Sequence, residues 1–315
     1  DVGSGVSFTL TDCKGSGKIT HENSDAVGCG VNVIGSFTMY GGSITGNSVS
    51  GSGGGVYVSA QDGTQQGRFA MYGGSITGNN ASSFGSGGGV YVSAQDGTQG
   101  RFAMYGGSIT GNNVSGFVGS GGVCVYGTMT VSGSVRITEN VKGGSKDDSG
   151  IYTGGTASNV CLIGRTTITI DGPLTEDSQI GVVLATTPTT AGPTTIATGA
   201  SNYTVADTDK AAFFSDKEGY SLIRIGNELK LKLPHTHTWT YTASGATITA
   251  TCKNCAENNN TDFHGGSVTI AAPEADALTY DSSPKAAAVT TSGDWLGASA
   301  DNIRITYKQG ETTLP

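Results

Sequence analysis

The stretch FAMYGGSITGN runs from Phe69 to Asn79 and returns unchanged from Phe102 to Asn112. A near-copy, FTMYGGSITGN, runs from Phe37 to Asn47, and a diverged one, MTVSGSVRITEN, from Met129 to Asn140. The copies start 32, 33 and 27 residues apart. Between them lies a second motif: GVNV at Gly30, GVYV at Gly55 and at Gly89, and GVCV at Gly122. From this motif to the next Phe or Met anchor is 7 residues at Gly30 and Gly122, but 14 at Gly55 and 13 at Gly89. The surplus is the polar segments SAQDGTQQGR and SAQDGTQGR. The unit is therefore a coil of about 25–27 residues with an optional loop at one corner.

Within a coil the apolar residues alternate. Phe37 and Met39 share a phase, as do Val56 and Val58 with Tyr57 opposite. Period two means strands, and the Gly-Gly and Gly-Asn pairs break them at corners. Two or three short strands cannot bury their apolar side alone, whereas stacked copies bury a continuous core. The expected fold class is all-β: a right-handed parallel β-helix (solenoid) followed by one or two small β-rich modules. Stacking predicts ladders of like side chains: Phe37, Phe69 and Phe102; Ile44, Ile76, Ile109 and Ile137; and Asn47, Asn79, Asn112 and Asn140 at a corner. Stacked asparagines can bond to one another and to turn backbone, which satisfies buried polar groups.

Composition agrees. Glycine supplies 52 of 315 residues, only 13% are charged, and prolines number 7. Glycine without a three-residue period excludes collagen, and low charge with many β-branched residues argues against disorder. A net charge of −8 argues against a nucleic-acid partner, which calls for a basic face. No run approaches the apolar length of a membrane span. The chain reads as an excised or processed piece of something larger, and a monomer is expected.

The predicted organisation is parallel β-helix repeats over 1–172 and last coils with a C-terminal cap over 173–233, since an open end templates aggregation unless covered. A His/Cys β-hairpin module over 234–265 and a truncated β-rich surface module over 266–315 follow.

Chemistry is sparse in the repeats. Between Gly30 and Thr128 the charged residues are Asp62, Arg68, Asp96 and Arg101, all in the inserted loops, and no histidine occurs there. They are expected to be solvated, with Asp62 near Asp96 and Arg68 near Arg101, and they are the candidates for a surface contact with a glycan or calcium. No pair of carboxylates suited to acid–base work is visible. Cys124 replaces Tyr57 and Tyr91 on the outward phase and Cys161 lies similarly in NVCLIG. Spacing favours no pairing of these with Cys13 and Cys29, so isolated thiols or a surface disulfide are both open.

PHTHTWTYTASGATITATCKNC, from Pro234 to Cys255, carries the sharpest metal-like pattern. A hairpin turning at Ser244-Gly245 sets Trp239 opposite Ala250 and His237 opposite Cys252, with His235 on the same face and Cys255 returning through C-x-x-C. Two imidazoles and two thiolates could then hold one tetrahedral, structural zinc through His235, His237, Cys252 and Cys255. A Cys252–Cys255 disulfide and free thiols with solvated histidines are the alternatives.

The GGSITGN and GGGVYV repeats resemble the adhesin-like, right-handed parallel β-helix surface proteins of Gram-positive gut bacteria, and more distantly the GGA-I and F-x-x-N repeats of polymorphic autotransporter proteins. HTHTWTYTASGATITATC and LTYDSSPKAAAVT…ITYK look like modules that follow such β-helices in large surface proteins. The resemblance implies an extracellular, non-enzymatic rod at the bacterial cell surface, meeting host glycan, mucin or host protein. The alternative on the same scaffold is a carbohydrate-active enzyme, a polysaccharide lyase or glycoside hydrolase.

Overall fold

A computed structural model describes residues 1–12, 16–21, 28–61, 65–83, 85–116, 119–184, 193–233, 239–252, 265–271, 288–293, 308–309 and 312–313. The chain divides into two compact units, one of Asp1–Thr189 with Pro193–Pro234 and one built on His235–Pro315.

The first unit is a parallel β-solenoid with three main strand rows and a fourth, short row of Ser48–Val49, Asn80–Ala81, Asn113–Val114 and Val141–Lys142. The Phe row stacks Ser7–Leu10, Ser36–Met39, Arg68–Met71, the start of Arg101–Thr110, the start of Thr128–Thr138, Ile168–Leu174 and Thr194–Gly199. The Ile row stacks Lys18–Ile19, Ser43–Thr45, Ser75–Thr77 and the ends of the two long strands onto Gln179–Leu184. The Val row stacks Val31–Val33, Val56–Val58, Val90–Val92, Val123–Val125 and Val160–Leu162, again onto Gln179–Leu184. All these pairings are parallel. The inserts fold as antiparallel hairpins, Ala60–Gln61 with Gln65–Gln66 and Ala94–Gln95 with Thr98–Gln99. They lengthen a corner without shifting the register of the coils.

The alternation Phe-x-Met, Ser-Ile-Thr and Val-x-Val points every other side chain inward. Phe37, Phe69, Phe102, Ile44, Ile76, Ile109 and Ile137 are essentially inaccessible. The Phe rings stack 4.8 and 4.9 Å apart, close to the strand spacing. Burying each such side chain is worth roughly 1.5–3 kcal/mol.

The asparagine corner carries the polar bonding of the interior. Asn47 donates its backbone N–H and its Nδ2 to Oδ1 of Asn79, at 3.0 and 2.9 Å. Asn79 does the same to Asn112, and Asn112 to Asn140. Each Nδ2 of Asn79, Asn112 and Asn140 also reaches the carbonyl of Ile44, Ile76 or Ile109 in the neighbouring coil. The ladder continues past the repeat: Asn140 donates to Asn159, and Asn159 donates to both carboxylate oxygens of Asp216 at 2.6 Å. Every bond to an Oδ1 runs the same way along the stack, so its last N–H groups, those of Asn159, are presented to Asp216, while the second N–H of each Nδ2 turns back to the preceding coil.

This corner explains the glycine of each G-V-x-V motif. A Cβ at Gly30, Gly55, Gly89 or Gly122 would lie 2.7, 3.1, 3.1 or 2.8 Å from Nδ2 of Asn47, Asn79, Asn112 or Asn140. The runs GSGGG at Gly51 and Gly85 are close-packed for a related reason, because Cβ atoms at Gly53 and Gly87 would meet the Tyr57 and Tyr91 backbone at 2.9 and 3.0 Å.

The C-terminal end is closed by antiparallel pairing. Ser221–Ile225 and Glu228–Lys232 form a hairpin whose second strand lies antiparallel to Thr194–Gly199, burying Leu229 and Leu231. A six-residue helix, Asp207–Ala212, places the buried Asp209 carboxylate so that it accepts from Leu174 N, Ala206 N and Tyr203 Oη. The Tyr203 hydroxyl is pushed up to about 12, by burial first and by Asp209 second. Among the described residues no helix is long and apolar enough to cross a membrane.

The second unit contains an antiparallel meander of Trp239–Ser244, Thr247–Cys252, Gly265–Ala271 and Ala288–Gly293. Its first hairpin turns at Gly245-Ala246, not at Ser244-Gly245 as the sequence suggests. Ser244 pairs with Thr247, and Gly245 takes φ +57° at the first central position, where glycine is favoured.

Two measurements test the ladder. Asn112→Leu leaves two donors of Asn79 without an acceptor, so urea unfolding should show a loss of about 3 kcal/mol or more. An exposed change such as Arg68→Ala should stay within about 0.5 kcal/mol. Burial holds the Asp216 carboxyl above its ordinary 3.8, with the Asn159 N–H groups pulling it partly back. Because the fold favours the protonated form, this contribution is complete below pH 3.8 and is lost as pH climbs through the raised value. Thermal midpoints of Asp216→Asn followed from acid to neutral pH should therefore lack that decline.

Candidate binding face

The same alternation that fills the core dictates an outer face. On the Phe row the outward positions form three lines parallel to the solenoid axis. The first is Ser36, Arg68, Arg101 and Thr128; the second is Thr38, Ala70, Ala103 and Thr130. The third continues one step beyond Met39, Met71 and Met104 to Tyr40, Tyr72 and Tyr105. Tyr40 and Tyr72 are 56% and 48% exposed. The three rings stack at 5.0 and 4.9 Å with interplanar angles of 13° and 27°. Their faces are occupied by one another, so edges and hydroxyls are what solvent meets. Burial, with Asp171 and Tyr72 nearby, pushes the Tyr105 hydroxyl up.

Arg68 and Arg101 stand in register one coil apart and are both exposed. Arg68 donates to Gln66 Oε1 at 3.1 Å. The ion pairs among the described residues, Arg136–Glu139, Arg224–Asp207 and Lys230–Glu228, involve neither. Asp96 is exposed at the turn of its hairpin, with φ +50°. Asp62, expected to stack on Asp96, lies outside the described residues. The tyrosine line was legible in FTMY and FAMY, because the residue after an inward Met must point out.

A second outward line, on the Val row, runs Asn32, Tyr57, Tyr91, Cys124, Cys161. The sequence puts both thiols at the surface. Instead Cys124 and Cys161 are buried, at 0% and 2% exposure, and pair in register as free thiols. The Ser86 side chain, in the glycine-rich run from Gly85, lies within hydrogen-bonding reach of the Cys124 thiol. The hydrogen bond to Cys161, then burial, pushes the Cys124 thiol up. Cys29 is a free, half-buried thiol, its acidity weakened by burial. Cys13 lies outside the described residues.

The zinc pattern loses its register. Cys252 pairs with Trp239, two residues short of the expected His237, because the turn falls one residue later. His235, His237 and Cys255, with the side chain of Cys252, lie outside the described residues. Among the described residues no cluster of three or more His, Cys, Asp or Glu could hold a metal.

No family model, no curated protein and no solved structure matches this chain.

The buried pair makes a direct expectation. In the native protein Cys124 should resist alkylation by iodoacetamide, whereas in denaturant it should react like an ordinary cysteine, as mass spectrometry of the peptides would show.

Proposed function

We propose that this chain is a non-enzymatic, adhesin-like rod of the bacterial cell surface whose solenoid presents a binding face to host glycan, mucin or host protein. The observation that carries the reading is the tyrosine ladder Tyr40–Tyr72–Tyr105, exposed at Tyr40 and Tyr72 and half-buried at Tyr105, beside the Arg68–Arg101 pair. Solenoids make extended, regularly spaced contact surfaces, and a stacked tyrosine line offers ring edges and a row of hydrogen-bonding hydroxyls already held in place. The charge-poor repeats and the small residues between the two lines support the same reading.

The test is retention of the full chain on immobilised mucin glycans and polysaccharides, with the soluble phase assayed for released sugar. Retention without product, weakened by Tyr72→Ala and Tyr105→Ala at unchanged thermal stability, is the expected result. Release of oligosaccharide would replace the adhesin with an enzyme, and absence of retention would remove the binding role.

A further inference from the structure

We infer that Cys124 and Cys161 are the two halves of a disulfide that closes as the coils stack, tying the winding of Val123–Val125 to that of Val160–Leu162 where the repeat gives way to the cap. The bond needs no ligand and stands apart from the binding face.

Register supplies the geometry. Val123–Val125 and Val160–Leu162 are parallel neighbours, with Cys124 directly opposite Cys161. Residues at one height on adjacent strands lie about 4.8 Å apart, inside the roughly 4.4–6.8 Å between Cα atoms that a disulfide spans. Alternation sends both Cβ atoms to the same face. The sulfurs already meet, the Cys124 thiol donating to Cys161, and both are thiols in this structure. In earlier coils the same line carries Asn32, Tyr57 and Tyr91. Sulfur takes it over in two successive coils, each thiol facing the other. Cys29, just before Val31, sits three windings away from Val123, beyond the reach of such a bond.

The place in the fold gives the bond its use. Residues 125–160 form the longest winding between neighbouring Val-row strands. It is also irregular: Val141–Lys142 pairs antiparallel with Thr156–Ala157, and Ser145–Lys146 antiparallel with Tyr152–Thr153. A long, irregular winding loses the most chain entropy when its ends are brought together. A cross-link that encloses it removes that entropy from the unfolded chain, and the gain grows with the length enclosed.

The pair is asymmetric. The hydrogen bond from Cys124, with Lys142 nearby, holds Cys161 below the usual thiol range against its burial, so Cys161 is the first to react. Its thiolate attacks one sulfur of a small-molecule disulfide. That S–S bond breaks, one thiolate leaves, and a mixed disulfide stands at Cys161. Cys124 then loses its proton and its thiolate attacks the Cys161 sulfur. The Cys124–Cys161 bond forms and the second small thiolate leaves. The two cysteines give up two electrons and two protons, and the oxidant takes up both to become two thiols. Because the finished fold buries both sulfurs, the exchange belongs to the stage at which the coils are still stacking. The bond is then sealed from reductants in solution. The alkylation pattern expected of Cys124 above is that of the dithiol form.

The full chain, reduced and denatured, would be refolded in a buffer of reduced and oxidised glutathione. Free thiols would then be capped with iodoacetamide in denaturant and the chain cut with trypsin. Cleavage at Arg101, Arg136, Lys146 and Arg165 leaves Cys124 and Cys161 on separate fragments that hold no other cysteine. Mass spectrometry should find these two fragments joined. The joined form should melt roughly 5–15 °C above the same chain refolded in dithiothreitol, and reduced glutathione should open the bond in denaturant but not in the native protein. Cys124→Ala/Cys161→Ala should gain nothing from the oxidising buffer; should that variant not fold, the two forms of the unchanged chain still decide. Both thiols capped, glutathione or sulfinic acid left on either, a bond to another cysteine instead, an unraised melting point, or equally fast opening in the native protein would each overturn the inference and leave the pair as buried packing groups.

Discussion

From Asn47 to Asn159 each coil of this solenoid passes a carboxamide to the next, and the repeat region is arranged around that exchange. A buried amide without partners costs on the order of 1–3 kcal/mol. Here a single Oδ1 accepts two donors from the neighbouring coil, while the Nδ2 reaches a main-chain carbonyl as well. The arrangement requires the chain to pass close by, so the facing residue must be glycine, and the turn must bring Asn to the same height in every coil. The Gly-Asn corner, the G-V-x-V glycine and the coil length are thus consequences of one bonding scheme. The chain of amides ends on Asp216, where a carboxylate meets the last N–H groups of the stack.

The interior also governs the exterior. Because strands alternate, a register held by phenylalanines and isoleucines inside fixes an equally strict register outside. Tyr40, Tyr72 and Tyr105 are aligned because Met39, Met71 and Met104 are. The outer face is therefore rigidly spaced without needing bonds of its own, and its chemistry can differ from coil to coil at little cost to stability.

Much of this was legible in the sequence because the physics is periodic. The phenylalanine, isoleucine and asparagine lines follow from copies at fixed intervals, and the hairpin inserts from a surplus at one corner. What escaped was aperiodic. Asn159 enters the ladder from the position that glycine holds in earlier coils, and Asp216 arrives from the cap, so neither shares a spacing with the others. Cys124 and Cys161 keep the outward phase yet are buried, and phase alone does not report what covers a face. In the second unit a two-residue turn could fall on Ser244-Gly245 or Gly245-Ala246; the pairing of Ser244 with Thr247 puts it on the latter, and Cys252 then faces Trp239.

The directional amide chain has a bearing on ancestry. Since each winding accepts from one neighbour and donates to the other in the same manner, an entire winding can be duplicated or deleted with no partner left wanting. The two identical undecapeptides beginning at Phe69 and Phe102 are what such copying would leave behind. Length in this scaffold is thus free to drift in whole windings, and inside one winding at the insert corner, where the two hairpins already differ by a residue.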